Sequence, residues 1–223
     1  MSTSDVDVSN RTSANDGAVA VAAANPILLG LPCAVIGVLA LGMFLLGYAP
    51  AGAAGALVPL FAALGIGLLI AARWAIAGGA GPVAGIFGLF GGFFISFALL
   101  YVGYVHNWYG TYPPGTDSAT AGAALTDTFS VYALCWAIVT TVLVLGTLRL
   151  PLSIVAILVF SDLVFIFVWL SFITGTFADQ GFLRTLAGLS CFVAAAAGCY
   201  VFGAALSSAL GGRGLPLGRA FVS

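Results

Sequence analysis

The 223-residue chain is 62% hydrophobic and only 6% charged, with a mean hydropathy of +1.18, a balance that leaves too little charge for the surface of a water-soluble domain. Its net charge of −1 and its lack of any lysine or basic cluster exclude the electrostatic footprint of a nucleic-acid binder. His106 is the single histidine, and Cys33, Cys135, Cys191 and Cys199 lie in apolar stretches without C-x-x-C spacing. No metal site, cofactor or disulfide framework is expected from that set.

Residues 1–24 are polar and contain Asp5, Asp7, Arg11 and Asp16; such a segment cannot bury enough apolar area to fold and is expected to be a disordered cytoplasmic tail. No basic start leads into an apolar core before Ala22, so it does not read as a signal peptide. Six apolar runs follow, at 27–49, 53–76, 84–106, 128–149, 152–175 and 183–210, each about the 20 residues that a membrane-spanning helix needs. Pro50 and Gly52 mark the first turn, Gly78 to Pro82 the second, Arg149-Leu150-Pro151 the fourth and residues 176–180 the fifth, since Gly and Pro interrupt helices. The third connection, 107–127, carries Trp108, Tyr109 and Tyr112, aromatics suited to a membrane-water interface. The expected organisation is a tail over 1–24, a six-helix domain over 25–211 and a cytoplasmic tail over 212–223.

Arg11, Arg73, Arg149, Arg213 and Arg219 fall on one side of this layout and only Arg184 on the other. The positive-inside rule therefore predicts both termini in the cytoplasm, for a multi-pass protein of the plasma (inner) membrane. Close helix contacts, within the bundle or at an interface between protomers, are expected at Gly88 and Gly92 in the third run, and along Ala195, Cys199, Gly203, Ser207 and Gly211 at the end of the sixth, because small residues let helices approach in lipid. Serines occur singly, without a nucleophile elbow or a nearby His and acid, so no catalytic residue is expected.

Asp162 is the most informative single residue, near the middle of the fifth run between Ser161 and Leu163. A carboxylate at that depth costs roughly 2.5–3.5 kcal/mol on insertion scales and usually faces a bundle interior or a wet cavity, often on an ion or proton pathway. Its neighbours one turn away, Leu158, Val159, Phe165 and Ile166, are apolar. A partner must come from another helix, and Ser96, Thr140 and Thr141 lie at comparable depth.

Four ordered stretches resemble the acetate transporter family, which includes bacterial succinate-acetate permeases. Asn25-Pro26-Ile27-Leu28-Leu29-Gly30-Leu31 resembles the family signature Asn-Pro-Ala-Pro-Leu-Gly-Leu, in which Asn caps a helix and Pro takes its first turn. Phe90-Gly91-Gly92-Phe93-Phe94 resembles Tyr-Gly-Ser-Phe-Trp, Gly146-Thr147-Leu148-Arg149 resembles Gly-Thr-Leu-Lys/Arg, and Gly212 to Gly218, following Tyr200, resembles the C-terminal Gly-Arg…Leu-Pro-Leu/Ile-Gly. Leu28 replaces the second Pro, and Ala75 to Val83 lacks the family's polar pattern between helices 2 and 3.

The resemblance implies an all-α membrane protein, a six-transmembrane-helix bundle with a pore within each protomer. It implies assembly as a homo-hexamer in the lipid bilayer, with a small carboxylate and a proton as cargo. Asn25, Pro26, Leu29 and Gly30 would stand at the passage entrance. Ala34, Phe90 and Ser161, or Asp162 with a shift of one residue, would stand at its constriction, making the waist wider and more polar than in the family. An uncoupled pore for a small neutral solute and a non-transporting assembly protein are the two other readings open to a chain of this hydropathy.

Overall fold

The computed structural model describes residues 25–48 and 55–220; residues 1–24 and the Pro50 and Gly52 turn lie outside them. The described residues form six long helices: α1 (Ile27–Leu45), α2 (Leu57–Ala77), α3 (Gly81–Val105), α4 (Ser118–Thr147), α5 (Leu152–Ile173) and α6 (Phe182–Ala209). All six are long and apolar enough to cross a membrane, with 19 to 30 residues each, so the chain is a multi-pass membrane protein.

The helix starts follow from local chemistry. Asn25 Oδ1 accepts the Ile27 N–H at 3.0 Å while Pro26, at φ −62°, already holds a helical conformation. Pro82 lies in the first turn of α3, where its missing N–H costs nothing. The largest departure from expectation is α4, which begins at Ser118 rather than near residue 128. Hydropathy locates apolar residues and not helix ends; Ser118, Thr120, Thr126 and Asp127 extend the helix beyond the apolar layer. Asp117 caps the extension, its carboxylate accepting from the N–H groups of Ala119 and Thr120, both at 3.0 Å. At 1.5 Å per residue α4 is about 45 Å long, well beyond the hydrocarbon core.

The helices pack in a ring. α1 lies against α2 and α6, α2 against α3, α6 against α5 and α5 against α4. The ring closes loosely between α3 and α4, where aromatic side chains span the gap: Phe93 reaches Trp136 with ring centres 5.3 Å apart, and Phe97 reaches Phe129 at 6.3 Å. Phe61, Leu68 and Phe94 fill the core among these helices without solvent contact.

The close helix contacts fall elsewhere than expected. In α3 it is Gly91 that meets α2: a Cβ there would lie 3.1 Å from the Gly65 carbonyl oxygen, whereas one at Gly88 or Gly92 would touch nothing nearer than 3.9 Å. In α6 the expected stripe is buried only at Ala195, Cys199 being exposed and Gly203 half-buried. α6 instead packs through Gly188 against Leu46 and through Gly198 against Val35. Gly91 and Gly198 each lie about 100° round the helix from Gly92 and Cys199, because spacing alone does not say which side of a helix meets a neighbour.

The C-terminal segment folds back over the start of α5. The Tyr200 hydroxyl donates to the Pro216 carbonyl at 2.6 Å, and the Ser153 hydroxyl and N–H both donate to the Leu217 carbonyl, at 2.8 and 3.2 Å. Gly218 completes the fold-back at φ +85°, where a Cβ would also lie 3.0 Å from that of Leu152.

Candidate functional site

Two cavities lie along the interior of the ring. The smaller, about 40 Å³, is in the half of the bundle where α1 starts and is walled by α1, α3, α5 and α6; Ala34, Phe90 and Ser161 all line it. The larger, about 330 Å³, occupies the opposite half and is walled by α1, α3, α4 and α5, with Phe177 from the α5–α6 connection. The two are one helical turn apart on each shared helix: Val38 and Leu41 on α1, Phe90 and Phe93 on α3, Ser161 and Val164 on α5. Phe90, bordering the small cavity, and Phe93, bordering the large one, form an aromatic septum between them, both exposed by 8% or less; Phe94 sits behind them, on Gly37.

Ala34, Phe90 and Ser161 are thus brought together, whereas Asp162 lines neither cavity. Successive helical residues point about 100° apart, so while Ser161 faces the small cavity, Asp162 faces α4. There it is buried and meets both candidate threonines: Thr140 Oγ1 is 2.6 Å from Oδ1, and Thr141 Oγ1 is 3.0 Å from Oδ2. Ser96, the third candidate partner, bonds instead with the Tyr132 hydroxyl at 2.8 Å. The Asp162 carboxyl therefore has hydrogen-bond partners on a neighbouring helix, which a buried polar group requires.

At the start of α1, Asn25, Pro26, Leu29 and Gly30 lie on the terminal side of the small cavity and line neither space. Gly30 has an indirect part: a Cβ there would lie 2.6 Å from the Phe87 ring, and that ring borders the small cavity. The bare glycine lets α3 approach α1 and bring Phe87 and Phe90 inward.

Arg184 and the large cavity are features that sequence reading does not single out. Arg184 shows as one arginine at a helix start, indistinguishable from an interfacial anchor. In the fold it is 9% exposed, donating from Nη1 to the Phe177 carbonyl at 3.0 Å and from Nη2 to the Phe44 carbonyl at 3.1 Å. Among the described residues no group of three or more metal-ligating side chains occurs.

The profile of the GPR1/FUN34/yaaH family matches residues 13–210. The chain belongs to that family. Among solved structures, the bacterial acetate channel SatP superposes with a TM-score of 0.67 at 19% identity, over 87% of this chain and 98% of that one. At that identity the likeness shows the fold: six helices in the same arrangement. No curated protein matches the chain. The family assignment agrees with the four ordered motifs, three of which border functional or structural contacts: Asn25 caps α1, Phe90 forms the septum, and Leu217 and Gly218 pin the C-terminal segment to α5.

Proposed function

We propose that the chain passes a small monocarboxylate, acetate first and succinate as a second candidate, through the interior of each protomer, either with a proton or as the neutral acid. The observation that carries this reading is the convergence of Ala34, Phe90 and Ser161 on one small cavity aligned with a larger one. Membership in the GPR1/FUN34/yaaH family and the shared fold with an acetate channel support it. The septum between the cavities is the constriction, and transport rather than catalysis is the work of the site.

Asp162 is the proton-holding group in this reading. An ionised carboxylate in line with an anion's path would repel it; turned one helical face away, towards Thr140 and Thr141, Asp162 takes up or gives up a proton without obstructing the path. In this reading the termini are cytoplasmic, which the bias of five arginines against one supports, and the protomers assemble as a hexamer, with the α6 face of exposed Cys199 and half-buried Gly203 as one contact.

Uptake of labelled acetate into proteoliposomes under an imposed pH gradient tests the reading. Uptake that rises with an inward proton gradient is expected, and its absence at every gradient overturns it. Swelling in acetamide or urea without a gradient would identify the chain as an uncoupled pore for neutral solutes.

A further inference from the structure

We infer that the large cavity is a binding site for a monocarboxylate with an apolar tail bigger than a methyl group, its carboxylate drawn by Arg184. The inference rests on the proposed carboxylate passage and names the substrate class of its outer half. Three observations support it.

The first is size. About 330 Å³ lies at the lower end of the range for pockets that hold drug-sized molecules, roughly 300–1,000 Å³. Acetate would leave most of that space empty, and so leave its walls without contact partners.

The second is the chemistry of the wall. Phe93, Phe97, Phe129, Phe165 and Phe172 border the space, a surface that binds rings and alkyl chains through burial and edge contacts. Of the four hydroxyls on the wall, Thr126 is committed to the Gly122 carbonyl at 3.0 Å and Tyr132 to Ser96; Tyr101 and Tyr104 carry the other two, and no cation lines the space. A dicarboxylate would bury its second carboxylate against rings, at a heavy desolvation cost.

The third is Arg184. Its guanidinium carbon lies 4.7 Å from the Phe177 ring centre and 5.7 Å from that of Phe44, and both rings belong to the cavity wall. Among the described residues its hydrogen bonds go to two backbone carbonyls and to no carboxylate, and its buried Nε has no partner. A cation left uncompensated in apolar surroundings favours an anion nearby far more than it would in water. Arg184 does not itself line the cavity; its charge stands behind the Phe44 and Phe177 rings that do, which gives the apolar space a positive potential at one end and matches a carboxylate with one hydrophobic tail.

Calorimetric titration of the full chain in lipid nanodiscs tests this, using acetate, benzoate, succinate and the neutral benzamide at a pH where the acids are ionised. Benzoate should bind about tenfold or more tighter than acetate, from burial of its ring, and about tenfold tighter than benzamide, from its charge; succinate should bind no better than acetate. Gly122→Trp, at a wall position with open space beyond it, should remove the preference for benzoate. Arg184→Gln should bring benzoate down to the level of benzamide, and Arg184→Lys should keep part of the difference. Equal affinity for benzoate and acetate, or for benzoate and benzamide, overturns the inference even if acetate is transported. If acetate is not transported but benzoate binds as stated, the passage reading fails and the binding site stands.

Discussion

The Thr140 hydroxyl lies 2.6 Å from Asp162 Oδ1 and 2.7 Å from the Trp136 carbonyl oxygen, and with one proton it can donate to only one of the two. When it donates to Asp162, Oδ1 accepts from Thr140 while Oδ2 stays in reach of the Thr141 hydroxyl. When it donates to Trp136, Asp162 must itself bring the proton, as the neutral acid. The heavy-atom positions accommodate either arrangement of the hydrogen bonds.

Asp162→Asn preserves the size of the side chain and its bonds to both threonines, so the protein should fold and reach the membrane in normal amounts. Acetate uptake should lose its dependence on the pH gradient; coupling unchanged from the parent would return Asp162 to a purely structural role. Thr140→Val removes one partner of a buried carboxyl and should lower stability by about 1–3 kcal/mol, read from thermal unfolding in detergent.

Ser161→Phe places a ring in a cavity of about 40 Å³ beside Phe90. Acetate uptake per molecule in the membrane should fall at least tenfold, about 1.4 kcal/mol in barrier height, and overpacking should cost about 1–3 kcal/mol of stability. Phe90→Ala, which opens the septum, should raise uptake of bulkier acids relative to acetate.

Gly37 has the Phe94 ring directly against it, and Phe94 is fully buried between α1, α2 and α3. Gly37→Ala should therefore cost about 1–3 kcal/mol through overpacking. Adding Phe94→Leu should recover part of that loss, a non-additivity that thermal unfolding of the double variant would register.

Asp117 at the α4 cap has its carboxyl held below the usual range, first by hydrogen bonds from Thr120 and then by the N–H of Ala119. A lowered value in the folded state means that the cap's contribution is present above the ordinary aspartate range and is lost as pH falls through the folded value. Hydrogen exchange at the Ala119 and Thr120 amides should accelerate, relative to other α4 amides, on acidification. In Asp117→Ala those amides should exchange fast at every pH.

Tyr200→Phe deletes the 2.6 Å bond to the Pro216 carbonyl. The segment from Gly212 should become accessible to protease while the six helices stay protected, and Ser153→Ala should add to the effect by removing a bond to Leu217.

The sequence by itself determined the number of helices, their order and most of their ends, because a span must be apolar over a length set by the bilayer, and Asn25, Pro82 and the Gly and Pro turns punctuate those spans. Phe90 lies within one of the recognisable motifs, and register from them set Ala34 and either Ser161 or Asp162 at the same level. Rotation about each helix axis was left open. In lipid, the outward face of a helix is as apolar as its inward face, so hydropathy carries little sign of which residue meets a neighbour. Only tertiary structure decided that Ser161 and not Asp162 faces the cavity, that Gly91 rather than Gly92 meets α2, and that Arg184 is enclosed by Phe44 and Phe177. Each of these turns on about 100° of rotation or on a contact between residues far apart in the chain, and both are set by how six helices close into one ring.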